Sequence, residues 1–141
     1  MDGQNLERSF MEEGRKFPLN EKRTWTHDEL YGKIYDEYLD NIDGYDVWLV
    51  YGNYLMVTVD MEFVIAGNDR AKNYIPDMQV WLDRNVPPQD RMYVCIHEIT
   101  ENKLMREGMT YQEAHTHANA VEYIVRKETF VPKAQTKSYI K

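Results

Sequence analysis

Three of the four histidines, with several carboxylates, fall between His97 and Glu122 at spacings that suit a single cation. His97 and Glu101 are four residues apart, so on an α-helix their side chains share one face about a turn apart. Imidazole and carboxylate together are a ligand set for zinc, with manganese and iron as alternatives. His115 and Glu122 are seven apart, two turns along one face of a second helix.

The link between these two helices is written in the residues joining them. Gly108 suits the left-handed position that ends a helix, and Thr110-Tyr111-Gln112-Glu113 fits a capping box that starts the next. Helices joined so tightly pack antiparallel. Folding the chain about residues 108 and 109 sets His115 level with about Glu101 and Glu122 level with about His97, on a rise of about 1.5 Å per residue. His117, turned about 200° from His115 at about 100° per residue, faces elsewhere. The expected metal ligands are therefore His97, Glu101, His115 and Glu122.

Glu98 follows His97 directly, where H-E-x-x-H zinc peptidases keep their general base. In this chain Glu101 stands in place of the second histidine. The pattern resembles the gluzincin group of zincin-like peptidases, which carry a glutamate ligand on a following helix; Glu122 comes 25 positions after His97. Val80-Trp81-Leu82-Asp83 and Pro87-Pro88-Gln89-Asp90-Arg91, leading into Val94-Cys95-Ile96-His97-Glu98, look like the edge strand and helix entry of such a domain. A wider set is similar to proteins encoded by phages and other viruses: Ile75-Pro76, Leu104-Met105, Gly108, Tyr111, Ala114-His115, Ala118 and Glu122. The resemblance spans roughly residues 45 to 125. It implies a zinc site, Glu98 as the catalytic base and a peptide or protein as substrate.

Composition bounds what else the chain can do. At 141 residues it has the length of one domain, and its formal charge of −7 argues against a nucleic-acid or anionic-membrane partner. One cysteine forms no internal disulfide, so nothing demands an oxidising compartment. Cys95 points roughly opposite His97 on the helix and reads as core. No apolar run approaches the ~18 residues of a membrane span, and the N-terminus lacks a signal-peptide core. The expectation is an intracellular, cytoplasmic protein, on the viral resemblance one of a host cell.

The elements that must position the site come before it. Residues 1–23 read as a mobile charged arm, 24–128 as one domain, and 129–141 as a tail or a strand returning to a sheet. Thr26-His27-Asp28-Glu29 caps a helix whose stripe of Leu30, Ile34, Tyr38 and Leu39 runs to about Asp43-Gly44, with His27 in its first turn. Val47–Tyr51 and Tyr54–Val59 around Gly52-Asn53 read as a β-hairpin. Met61–Ala66 is a third strand and Met78–Asp83 a fourth, with Pro87-Pro88 opening the long helix. The fold class is α+β: a small antiparallel or mixed sheet, an N-terminal helix and a C-terminal metal-bearing helix hairpin.

Two other readings belong beside the hydrolase. If all four ligands close the shell, the metal only staples two helices. If no metal binds, the His and Glu residues form a buried hydrogen-bond network in an interaction domain.

Overall fold

A computed structural model describes residues 27–135. The chain groups into two compact units, one running up to Pro87 and the other from Pro88 onward. The first contains helix α1 (His27–Ile34), strands β1 (Tyr35–Ile42) and β2 (Tyr45–Val50), helix α2 (Gly52–Thr58), and strands β3 (Ala66–Asn68) and β4 (Gln79–Asp83). The second is a helix pair, α3 (Pro88–Arg106) and α4 (Tyr111–Gln135). The class is α+β, as expected, and the sheet is mixed. Its order is β1-β2-β4-β3, with β2 and β4 parallel and both outer pairs antiparallel. Among the described residues no helix is long and apolar enough to cross a membrane.

Trp81 on β4 is fully buried and gathers the aromatic residues of this unit. Tyr31 and Tyr35 meet it edge-on at 6.1 and 5.4 Å, and Tyr74 lies 5.9 Å away. Edge-to-face arrangements of this kind suit the ring quadrupoles. The polar atoms at the rim are answered locally: Gln79 Oε1 accepts from both the Tyr35 hydroxyl and the Trp81 indole, at 2.7 and 2.9 Å. Burial pushes the Tyr35 phenol up to about 12, since a phenolate there would lose its hydration. Ile34, Val50, Leu55, Val59, Phe63 and Ile75 complete the core.

Three expected elements differ from this arrangement. The first helix ends at Ile34 instead of Asp43, and residues 35–42 form β1. Asp43 and Gly44 have φ of 54° and 89°, the conformation of a two-residue hairpin turn rather than a helix stop. Both endings use the same residue types; pairing of Ile42 with Tyr45 across the turn decides between them. The Thr26 cap lies outside the described residues.

The expected 47–59 hairpin is absent because Gly52 opens α2. Its N–H donates to Asp83 Oδ1 at 3.2 Å, and a Cβ there would sit 2.7 Å from that oxygen. Gly52 thus serves close approach, not a turn. Leu55 and Val59, four apart, are buried with helical spacing inside a run equally readable as strand. The third strand is displaced to Ala66–Asn68, whose Asn68 Oδ1 then accepts from the N–H groups of Arg70 and Ala71 to start the next turn. The fourth strand falls as expected, at Gln79–Asp83.

In the second unit, Pro88 opens α3 at the position where a missing amide hydrogen costs nothing. The helix closes in a Schellman motif: Gly108, at φ 109°, donates to Met105 O while Met109 donates to Leu104 O, at 3.0 and 3.1 Å. Thr110 and Glu113 then cap α4 reciprocally, each accepting from the other's backbone N–H at 3.1 Å. The backbone of α4 stays helical to Gln135, so residues 129–135 continue the helix instead of forming a tail or strand.

Candidate metal centre

The buried face between α3 and α4 mixes small apolar groups with charge. Ala114 and Ala118 are fully buried and let the helices approach, while His97, Glu98, Glu101 and Asn102 are also buried. Lone ionised groups in such surroundings are costly, so they must answer one another or a cation.

Three of the expected ligands converge. One donor atom each from His97, Glu101 and His115 lies within 4.8 Å of the others, and among the described residues this is the one such group able to hold a metal ion. His97 Nε2 is 3.5 Å from Glu101 Oε2, and His115 Nδ1 is 2.7 Å from the same oxygen. The two imidazole rings meet edge-on at 4.9 Å. The i, i+4 step on α3 and the capped start of α4 together produce this geometry.

Glu122 reaches the opposite side of His97. Its Oε1 lies 3.1 Å from Nδ1, but at an angle unsuited to a hydrogen bond, which leaves this buried nitrogen without a hydrogen-bond partner. Antiparallel packing did bring Glu122 level with His97, as helix rise predicted. It stands, however, on the ring nitrogen that faces away from Glu101. One cation cannot be held at both nitrogens of one imidazole, so Glu122 stands apart from the point where His97 Nε2, Glu101 and His115 converge. Arg126 holds the other Glu122 oxygen at 2.9 Å and extends to Asp90 at 3.2 Å. That outer partner was not anticipated, although its i, i+4 spacing from Glu122 was a legible signal.

Burial pulls the His97 pKa down, yet the hydrogen bond to Glu101 and the charges of Glu98, Glu101 and Glu122 outweigh it and hold the imidazole above its ordinary value. The surroundings therefore favour positive charge at this point. Glu98 is buried beside it, and its charge also acts on Cys95 and Tyr111. His117 is exposed, consistent with its helical phase. Cys95 is a buried free thiol, with burial first and then the Glu98 charge pushing its pKa up to about 11, as suits a packing residue.

Tyr111 is the site residue that the motif reading passed over. Its ring stacks on His115 at 5.2 Å and 25°, with the hydroxyl 3.4 Å from Nδ1. Burial and the charges of Glu101 and Glu98 raise its pKa. The signal available was its i, i+4 spacing from His115.

Compared with protein-family models, curated proteins and solved structures, the chain matches none.

Proposed function

We propose that the α3–α4 pair binds a divalent transition metal, zinc first with manganese and iron as alternatives, through His97, Glu101 and His115. We propose further that the protein is a small metal-dependent hydrolase acting on peptide or protein substrates. The observation that carries the reading is the approach of three donor atoms to within 4.8 Å, backed by Glu122 beside His97 Nδ1. An outer carboxylate orienting a histidine ligand is a recurrent feature of zinc sites. The gluzincin resemblance of the His97-Glu98 stretch points the same way.

A bound cation would supply Lewis acidity and lower the pKa of a water toward about 7. Glu98 is the residue to accept that water's proton and hand it to the leaving amine. Its burial suits a base that exchanges protons with a reacting group instead of with bulk water. Arg126 holds Glu122 beside the His97 ring, and the buried alanines keep the helices close. The single buried thiol is compatible with a reducing cytoplasm, where we place the protein.

One observation favours a non-enzymatic reading, a structural metal site or buried network. Glu101 and His115 already share a hydrogen bond of 2.7 Å that needs no cation. Zinc content by elemental analysis, with cleavage of an unfolded protein pool, separates the two. On the hydrolase reading Glu98→Gln keeps the metal and abolishes cleavage. Wild type that carries zinc yet cleaves nothing would leave only the structural site.

A further inference from the structure

Tyr111 stands against the three converging donors without a role in the reading above. Its oxygen lies 3.4 Å from His115 Nδ1, the nitrogen that also faces Glu101 Oε2 at 2.7 Å. Bonds of about 2.0–2.2 Å around a tetrahedral zinc set neighbouring donors roughly 3.3–3.6 Å apart. The His97–Glu101 separation of 3.5 Å and the Tyr111–His115 separation of 3.4 Å already have that length. The Glu101–His115 edge is shorter, at 2.7 Å, the length of a hydrogen bond; a cation between the two would spread the pair.

The i, i+4 relation that aligns His97 with Glu101 on α3 is repeated by Tyr111 and His115 on α4. Tyr111 thus stands beside His115 on α4 as Glu101 stands beside His97 on α3. The stacked rings hold the phenol in register with Nδ1, rather than leaving it to swing as an isolated surface side chain would.

We propose that Tyr111 Oη is the fourth protein donor, making this a two-histidine, glutamate and tyrosine centre; the proposal rests on the metal reading above. On binding, the phenol O–H bond breaks, its proton leaves to solvent, and the freed electron pair forms the bond to the cation with no change of oxidation state. An anionic oxygen in place of water shifts the preference toward harder cations, trivalent iron above all. Tyr111 is 46% exposed, so its side of the cluster meets solvent, from which a further donor could come. Ligation by Tyr111 is therefore compatible with hydrolysis.

The experiment titrates the full-length protein with zinc sulfate at neutral pH, following tyrosinate difference absorbance and calorimetric stoichiometry, beside Tyr111→Phe and Tyr123→Phe. Phenylalanine retains the ring at a half-exposed position, and circular dichroism verifies the fold. Wild type and Tyr123→Phe should show the signal of one phenolate per bound zinc. Tyr111→Phe should still bind zinc, roughly tenfold more weakly, with no such signal. Ferric nitrilotriacetate should likewise give a visible charge-transfer colour in wild type that Tyr111→Phe lacks. Zinc binding by wild type without a tyrosinate signal overturns the role of Tyr111 and leaves the three-donor site standing. No zinc binding by wild type overturns both.

Discussion

The two units of this chain bury polar groups in opposite ways. Around Trp81 the polar atoms are neutral and answered at close range, as where Gln79 Oε1 serves both Tyr35 and Trp81. Where a charge enters that unit it has a partner: Asp60 receives the Tyr74 hydroxyl at 2.7 Å and the Lys72 ammonium at 2.8 Å. Between α3 and α4, by contrast, three carboxylates act on one imidazole whose Nδ1 has no hydrogen-bond partner. The difference separates a core of neutral aromatic packing from one in which carboxylates raise the pKa of a buried imidazole.

The sharpest way to break this comparison is to cut each core at its centre. Trp81→Ala should destabilise the sheet unit by about 3–5 kcal/mol, by lost burial and the cavity left behind, without altering zinc stoichiometry wherever the protein still folds. Denaturant melts with calorimetry test both halves of that statement. Altered stoichiometry in the folded variant would mean that the two cores are not separable.

His97→Ala acts on the other side. Zinc at about one hundred times its Kd should stabilise wild type by about 2.7 kcal/mol, and this increment should vanish in the variant. Thermal melts with and without zinc read it directly, and an equal increment in both proteins would remove His97 from the site.

Glu122→Ala tests the outer position. Because Glu122 lies at the His97 nitrogen that faces away from Glu101, on the proposed metal reading zinc should still bind, weakened about 10- to 100-fold. Complete loss of binding would instead make Glu122 a ligand and require the His97 ring to turn.

The smallest effect is expected in alkali. The Tyr35 phenol is raised to about 12 in the folded protein against an ordinary 10.0, so its contribution to stability is present below pH 10 and is lost as pH climbs toward 12. Tyr35→Phe should flatten the part of the alkaline decline due to this group, as followed by urea midpoints at pH 9 to 11.5. An unchanged slope would assign the decline to other tyrosines.

Local chemistry determined a good deal of this protein without help from the fold. Pro88 at a helix start, Gly108 at a helix end, and the reciprocal Thr110–Glu113 cap depend on atoms within a few residues, so the helix pair and its phasing are readable from the chain. That phasing carries His97, Glu101 and His115 to one place and turns His117 out. Non-local pairing was not readable in the same way. Asp43-Gly44 suits a helix stop as well as a hairpin, and the run from Tyr54 to Val59 suits a strand as well as a helix. The decisions came from β1 pairing back on β2, and from Asp83 crowding Gly52. Within the site, helix rise brought Glu122 level with His97, but which imidazole nitrogen it meets depends on ring orientation, which sequence spacing does not contain. Tyr111 differs: its contact with His115 is local to α4, whereas the contact of His115 with Glu101 exists only once two helices have packed.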